Sequence, residues 1–272
     1  MSILSTPTIA LLTDFGHRDH YVGVMKGVIA TIAPQARVID LCHEIPPQDI
    51  DAAALMLMTS MRYFPEDTIF VCVVDPGVGS ERDAVAVRCG ARSFIGPDNG
   101  VFTMALGQFP PDEVAILDDP HYHCLPVSQT FHGRDIFSPA AAHLAAGTPI
   151  AMLGTPKPPE ALVLLDDMTP QREGRALLGR VVHVDHFGNL ITNLSEDACE
   201  ILRGGAPGLS VEVEEADLSL ELMSTFSDVP VGDVVAYMGS GGLLEIAVRQ
   251  DNAHEKLAIE KGARVIASPS YR

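Results

Sequence analysis

One uninterrupted apolar run, Ile69 to Val74, limits the architecture of this chain more than any other feature. The run is rich in β-branched residues, which predicts a strand that is buried on both faces. The sequence around it alternates strand-like and helix-like stretches over residues 1–165. Such alternation is typical of a parallel sheet with helices against it. We therefore expect an α/β domain here, with a Rossmann-like sheet and flanking helices.

Residues that start and stop helices support this interpretation. Apolar residues recur at helical spacing from Val22 to Ile32, and Pro34 ends the pattern. Asp49 is placed to cap a second helix. A third, alanine-rich helix is predicted to begin at Ser138 and to end at Gly147.

The pattern changes at Asp166. Residues 166–177 are predicted to form a linker, and residues 178–272 contain short strand-like segments separated by Gly, Asn and Pro, with little sign of helix. This arrangement is typical of a small, all-β barrel. The segments are Val181–Val184, Leu190–Thr192, Leu209–Val213, Leu218–Leu222, Val234–Tyr237 and Leu243–Val248.

Composition excludes several classes of partner. The 272 residues have a net charge of −18, so the chain would repel a polyanion and attract a cationic small ligand. No apolar run approaches the ~20 residues that a membrane helix needs, and the N-terminus lacks a secretory-signal pattern. The five cysteines form no Cys-x-x-Cys pair, which argues against a disulfide framework or a zinc ribbon. We expect a cytoplasmic protein that acts on a small molecule and contacts neither nucleic acid nor membrane.

Asp75 directly follows the buried run, and Arg82 follows it seven residues later. A glycine-rich turn between them would let Arg82 fold back over Asp75. The pair could flank a reaction centre, or it could be an ordinary ion pair within a loop. The turn matches neither a phosphate-binding loop nor a dinucleotide fingerprint.

A second polar cluster, Phe131–Asp135, contains His132. A lone histidine is more often structural than catalytic, but this one lies in a glycine-containing turn just before a helix. Arg134 and Asp135 are expected to pair with each other and to hold the turn.

Asp14 lies at the end of the first predicted strand, ahead of a helix. Ligands of open α/β sheets bind at the carboxyl ends of strands, and a carboxylate there can accept both hydroxyl groups of a ribose. The alternative is that Asp14 caps the helix. Asp19 adds a second negative charge, which would bind an ammonium group or lie at the surface.

In the second half, Asp185, Phe187 and Asn189 occupy a predicted strand–turn–strand. An aromatic ring can stack on a purine, and an amide can satisfy the paired donor and acceptor edges of a purine. The alternative is a plain hairpin turn around Gly188. Ser240 could donate to a carboxylate or belong to an ordinary hairpin loop.

The same region of the sequence contains candidate metal ligands. His183 and Asp185 alternate on a strand and could share a face. The spacing does not reveal a full set of two histidines and a carboxylate, and no His-Glu-x-x-His helix occurs. We expect no metal ion.

These motifs together resemble the S-adenosylmethionine hydroxide adenosyltransferase family, which is related to the enzymes that make 5′-halo-5′-deoxyadenosines. The resemblance runs in order through both halves of the chain. It rests on Thr13–Gly16 with Asp19 and Tyr21–Gly23, on Ile45–Pro47, Asp75–Gly79, Gly96–Gly100, Phe131–Asp135 and Asp185–Asn189, and on Ser240 with Glu245–Val248.

The resemblance implies a nucleoside-binding and catalytic α/β domain over residues 1–165 and a barrel over residues 178–272. It implies a homotrimer with sites at subunit interfaces, between the N-terminal domain of one subunit and the C-terminal domain of the next. The implied reaction is attack of water or hydroxide on the ribose C5′ of S-adenosylmethionine, which releases adenosine and methionine without a cofactor.

The family's functional residues are carried over position by position. The catalytic set falls on Asp75, Arg82 and His132, and either Asp75 or His132 would accept the proton of water. The ribose contact falls on Asp14, the amine contacts on Asp185 and Asp19, the adenine contacts on Asn189 with Phe187 and Phe226 nearby, and the carboxylate contact on Ser240.

Two positions depart from the family pattern. Gly241 stands where halide-using relatives have an arginine, and Arg249 stands where a smaller polar residue is expected, at the rim of the adenine pocket. A halide-using transferase and a non-catalytic module that binds adenosine or S-adenosylmethionine are the alternative functions.

Overall fold

The computed structural model describes residues 6–271. The chain divides into two compact units, the first ending at Leu165 and the second beginning at Asp166. Within the described range, no helix combines the length and the apolar character that crossing a bilayer requires.

The first unit contains a six-stranded sheet with the strand order β2-β1-β3-β5-β4-β6. Strands β1, β2, β3 and β5 are parallel, and β4 runs antiparallel to β5 and β6. The strands are β1 Thr8–Thr13, β2 Arg37–Cys42, β3 Ile69–Val73, β4 Ala84–Cys89, β5 Arg92–Pro97 and β6 Glu113–Ile116. The helices are α1 Tyr21–Ile32, α2 Ile50–Met61, α3 Thr103–Gln108 and α4 Ser138–Ala145.

Strand β3 is central and fully buried, as its apolar sequence predicts. Val71 and Val73 pack with residues of α1 and α4 in one core cluster. Phe70 stacks on Phe94 of β5, with ring centroids 5.6 Å apart. The Asp49 carboxylate accepts a hydrogen bond of 2.9 Å from the Ala52 amide, so the expected cap of α2 is present. An α/β sheet domain is therefore confirmed.

The second unit is a closed β-barrel. Its eight strands follow the order β14-β10-β11-β12-β13-β9-β8-β7, and a further pairing of β14 with β8 closes the sheet. The strands are β7 Gln171–Glu173, β8 Ala176–Val184, β9 Leu190–Ser195, β10 Gly208–Val213, β11 Leu218–Met223, β12 Val234–Met238, β13 Leu243–Val248 and β14 Arg264–Ser270.

Three features of this unit differ from the sequence-based expectation. A helix, α5 Glu196–Arg203, follows β9, and the Ser195 hydroxyl caps it by accepting from the Ala198 amide at 3.3 Å. Strand β14 was not expected, although Val265 and Ala267 alternate with less buried residues along it. The expected linker, residues 166–177, contains β7, which pairs with β8, so this segment is part of the second unit.

A short helix, α6 Ala253–Leu257, completes the second unit. The Asn252 side chain caps it by accepting from the Glu255 amide at 3.0 Å.

Candidate functional site

Side chains from three distant segments line one cavity of about 240 Å³ in the first unit. Asp14 follows β1, Asp75 follows β3, and His132 precedes α4. The cavity therefore lies at the carboxyl ends of adjacent parallel strands, where ligands of open α/β sheets bind. Its lining is Asp14, Phe15, Gln48, Val73, Asp75, Pro76, Val78, Thr130, Phe131, His132 and Gly133.

Arg82 folds back onto Asp75, as the spacing predicts. Its Nε donates to Asp75 Oδ1 at 3.0 Å, and its Nη2 donates to Asp75 Oδ2. The side chains of Arg82 and Asp75 are only 11% and 5% exposed. A bidentate pair with so little exposure is geometrically specific and weakly screened by salt.

Gly79 lets the loop after β3 approach the loop that precedes His132. Its φ is +77°, and a Cβ atom at this position would collide with the carbonyl oxygen of Gln129. Only glycine meets both requirements without strain.

Arg82 also reaches His132, which lies fifty residues later. Its Nη2 atom lies 2.8 Å from His132 Nδ1. Because a guanidinium has only donors, Nδ1 must be the acceptor, and a neutral ring then carries its proton on Nε2. Burial and the nearby charge of Arg82 lower the pKa of His132, which favours this neutral form.

The segment after His132 forms one π-helical turn, Gly133–Phe137, before α4 begins. Such turns are rare and occur often at functional sites. Arg134 and Asp135 pair within the turn, with Arg134 Nε donating to Asp135 Oδ1 at 2.6 Å, so the expected local pair is confirmed. Buried Asp135 also accepts from the Ser128 amide at 2.8 Å. The turn that carries His132 is thus tied to the preceding loop.

Asp14 projects from the loop after β1 and accepts a hydrogen bond of 2.8 Å from the Gln48 amide. It does not cap α1, whose N-cap residue is His20. Asp19 is exposed on the same loop and is absent from the described lining of the cavity. The sequence reasoning missed Gln48, because a backbone donor has no residue-type signature.

In the second unit, Asp185 organises the turn between β8 and β9. Its Oδ1 accepts from the Phe187 and Asn189 amides at 2.9 and 2.8 Å, and its Oδ2 accepts from Asn189 Nδ2 at 2.9 Å. The hairpin alternative thus describes the local geometry. The same bonds orient the Asn189 amide, and the Phe187 side chain is 72% exposed.

Gly188 at this turn has a φ of +85°, and a Cβ atom there would collide with Asn252. The carbonyl of Gly188 accepts from the His254 amide at 3.0 Å. The turn therefore packs against the start of α6.

Phe226 lies beside Tyr237, with ring centroids 4.3 Å apart. The Tyr237 hydroxyl donates to Glu245, and burial raises the pKa of both side chains. Ser240 is exposed between β12 and β13. No role was predicted for Tyr237, because Phe226 and Tyr237 lie in different segments and no sequence pattern indicates their contact.

Arg249 contacts the segment that follows Phe226. Its Nη1 donates to the carbonyl of Val229 at 2.6 Å, and so ties down the segment that follows Phe226.

Six of the ten predicted site residues thus fall into two sets. Asp14, Asp75, Arg82 and His132 converge in the first unit, and Asp185 and Asn189 are in contact in the second. In the described part of the chain, no group of three or more His, Cys, Asp or Glu side chains is arranged to hold a metal ion.

Comparison with known proteins gives consistent matches over both units. The model of the SAM hydroxide adenosyltransferase N-terminal domain matches residues 9–154, and the model of the C-terminal domain of the same family matches residues 179–266. A protein of Thermus thermophilus named (R)-S-adenosyl-L-methionine hydrolase is 42% identical, covering 94% of this chain and 98% of the relative. A fluorinase of Nocardia brasiliensis is 29% identical over 89% of this chain and 90% of its own.

A solved structure matches the chain over both units as well. The crystal structure of an uncharacterized conserved protein from Thermotoga maritima superimposes with a TM-score of 0.87 at 34% identity, covering 96% of this chain and 99% of that chain. Both family models match in order, and together they span most of the chain. The chain therefore belongs to the SAM hydroxide adenosyltransferase family.

Proposed function

We propose that this protein hydrolyses S-adenosyl-L-methionine to adenosine and L-methionine, through attack of water on the ribose C5′. The observation that carries the proposal is the contact of Asp75, Arg82 and His132 at a cavity that also contains Asp14. The name of the Thermus thermophilus relative supports it.

The chemistry of the substrate determines what such a site must do. The sulfonium is a cationic leaving group, and displacement neutralises it by leaving the electron pair of the broken C5′–S bond on sulfur. The site therefore has little anionic charge to stabilise on the leaving group. Its task is to place a water molecule in line with that bond and to remove a proton from it. Bulk water, with a pKa of ~15.7, is otherwise a poor nucleophile.

The hydrogen bonds divide this task between Asp75 and His132. Arg82 donates to His132 Nδ1, so the neutral ring presents Nε2–H, a donor that can hold the water oxygen. The same ring cannot accept a proton at Nε2. Asp75 keeps unused lone pairs on its two oxygens, because each carboxylate oxygen can accept more than one hydrogen bond. This geometry favours Asp75 as the acceptor of the water proton and His132 as the group that orients the water.

The substrate-binding roles follow the family resemblance. Asp14 would accept the ribose hydroxyls, Asp185 and Asp19 would attract the amine, and Ser240 would hold the carboxylate. Asn189 would bind adenine, with Phe187 and Phe226 packing near it. The hydrogen bond from Asn189 Nδ2 to Asp185 supports a fixed orientation of the amide.

The same proposal covers the assembly and the remaining chemistry. We infer a homotrimer with active sites at subunit interfaces, and a reaction that uses no cofactor or metal. We also infer that the first unit holds its nucleoside as Rossmann-like sheets do, at the carboxyl ends of parallel strands. Light scattering coupled to size-exclusion chromatography tests the assembly, and a monomer in the presence of substrate would contradict it.

The deciding experiment is incubation with S-adenosyl-L-methionine in H₂¹⁸O, followed by mass spectrometry. We expect adenosine labelled at its 5′-oxygen together with unlabelled methionine. The Asp75→Ala variant should lose at least ~10²-fold in turnover, since a positioned proton acceptor contributes about that much or more. A 5′-halo nucleoside formed in halide buffer would instead indicate a transferase. Binding without any product would indicate a non-catalytic module.

A further inference from the structure

A chain of hydrogen bonds runs from the surface residues Lys26 and Asp40 to the buried Thr13, which precedes Asp14 in the sequence. Lys26 Nζ donates to Asp40 Oδ2 at 2.6 Å, and Asp40 Oδ1 lies 3.0 Å from His43 Nε2. His43 Nδ1 in turn lies 2.9 Å from the Thr13 hydroxyl. Thr13 and His43 are both fully buried. Burying polar groups costs free energy unless every one is paired, so a buried histidine in such a chain of hydrogen bonds indicates a specific role.

The direction of each hydrogen bond follows from its neighbours. A carboxylate only accepts, so His43 Nε2 carries the proton and donates to Asp40. In the neutral ring His43 Nδ1 is then an acceptor, and the Thr13 hydroxyl donates to it. Thr13 Oγ1 itself accepts from the Phe15 amide at 3.2 Å. Burial lowers the pKa of His43 even though Asp40 opposes the shift, and this lowering favours the neutral ring.

The arrangement of Thr13, His43 and Asp40 has the order of a nucleophilic triad, but its position excludes that role. The Thr13 side chain is fully buried, and its proton points to His43 rather than to the cavity. These hydrogen bonds instead fix the backbone on both sides of Asp14, because Thr13 Oγ1 contacts both His43 Nδ1 and the Phe15 amide.

The neighbouring loop is attached to the same place by independent contacts. The Gly16 amide donates to the His43 carbonyl at 2.7 Å, and the His17 amide donates to Glu44 Oε1 at 3.1 Å. Gln48, with a φ of +67°, donates its amide to Asp14 Oδ2 at 2.8 Å. A left-handed conformation is unfavourable for a residue other than glycine, and such strain is concentrated at functional sites.

We propose that Thr13, His43 and Asp40 are positioning residues that hold the Asp14 carboxylate in the orientation needed to bind both hydroxyls of a ribose. The inference rests on the proposed function, since it takes the ligand to be a nucleoside. Holding a carboxylate in place before the ligand arrives strengthens binding by reducing what must be ordered on binding.

The test compares adenosine with 2′,3′-dideoxyadenosine, which lacks the two hydroxyls. Calorimetric dissociation constants are measured for wild type, Thr13→Val and Thr13→Ser. Valine matches threonine in shape but lacks the hydroxyl, whereas serine keeps it. We expect Thr13→Val to weaken adenosine about tenfold, which corresponds to the loss of one well-placed hydrogen bond. Binding of dideoxyadenosine should not change, and Thr13→Ser should behave like wild type for both ligands.

Equal weakening of both nucleosides by Thr13→Val would show a general loss of structure and would overturn the proposal, as would no effect on either. Should Thr13→Val fail to fold, Asp40→Ala removes the acceptor of the His43 Nε2 proton at a partly exposed position and must give the same selective loss.

The two proposals can fail separately. A wild type that hydrolyses S-adenosyl-L-methionine but binds both nucleosides equally overturns the positioning role and leaves the hydrolase. A wild type that prefers adenosine, with the preference lost in Thr13→Val, but forms no product overturns the hydrolase and leaves the positioning role.

Discussion

Replacement of Arg82 by lysine separates the charge of this side chain from its geometry. The guanidinium donates to both oxygens of Asp75 and to Nδ1 of His132 from one rigid plane. A lysine ammonium keeps the positive charge but is a compact donor on a flexible stem, so it cannot reproduce the planar fork. We expect Arg82→Lys to fold and to bind substrate but to turn it over slowly.

The magnitude follows from the contacts that remain. Asp75 is 5% exposed, and removing its partner altogether would leave a buried charge uncompensated, at a cost of roughly 3–5 kcal/mol. Lysine avoids that cost by staying beside Asp75, but His132 then loses a charge-assisted hydrogen bond of about 1.5–3 kcal/mol. If that energy is used only in the transition state, kcat falls by about 10- to 160-fold while KM stays within about threefold.

The assay is adenosine formation over a range of S-adenosyl-L-methionine concentrations, with circular dichroism and thermal melting to verify the fold. The matched control is Arg88→Lys, on β4, where Arg88 pairs with Glu113 and is 43% exposed. Exposed pairs contribute little, so this variant should retain wild-type kcat and stability. A folded Arg82→Lys enzyme whose kcat lies within twofold of wild type would refute the assignment of Arg82 as the residue that joins Asp75 to His132.

Three further outcomes are expected. Burial and Arg82 lower the pKa of His132 below its usual 6.5, so kcat should be level at neutral pH and fall only at pH values below 6.5. The fall occurs because protonation of Nδ1 displaces Arg82. A pH–rate profile whose acid limb has its midpoint above 6.5 would contradict this. Asn189→Ala should raise KM for S-adenosyl-L-methionine more than it lowers kcat, and an unchanged KM would remove Asn189 from the purine pocket. Gly79→Ala should lower the free energy of unfolding by more than ~1 kcal/mol, because φ is positive at this position and a Cβ atom would collide with Gln129. Unfolding in urea measures this change. An unfolding midpoint equal to that of wild type would show that the loop has room to move.

Local sequence signals were sufficient for much of the first unit. The run that forms β3 is apolar throughout because the strand is buried on both faces, and Asp49 caps α2 through a contact only three residues away. The pairing of Asp75 with Arg82 was also foreseeable, since a tight turn brings residues seven apart together.

Contacts between distant segments were not visible in the same way. His43 and Thr13 are thirty residues apart, and nothing near either residue indicates that β1 and β2 are neighbours in the sheet. The π-helical turn after His132 depends on packing and has no residue signature. The sequence of α5 does carry helix signals, a serine cap and acidic residues in its first turn. The helix was not predicted, because it lies between short strand-like segments.

Strand β14 has a consequence for how the second unit assembles. It pairs with β10 along one side and with β8 along the other. Nearly the whole unit separates β8 from β14 in sequence, so this pairing is a long-range and therefore slow event in folding. Until it forms, β8 and β10 expose unpaired amides and carbonyls that invite aggregation or exchange of the strand between chains. Nascent molecules are most vulnerable in that interval, before Arg264–Ser270 has been synthesised and docked.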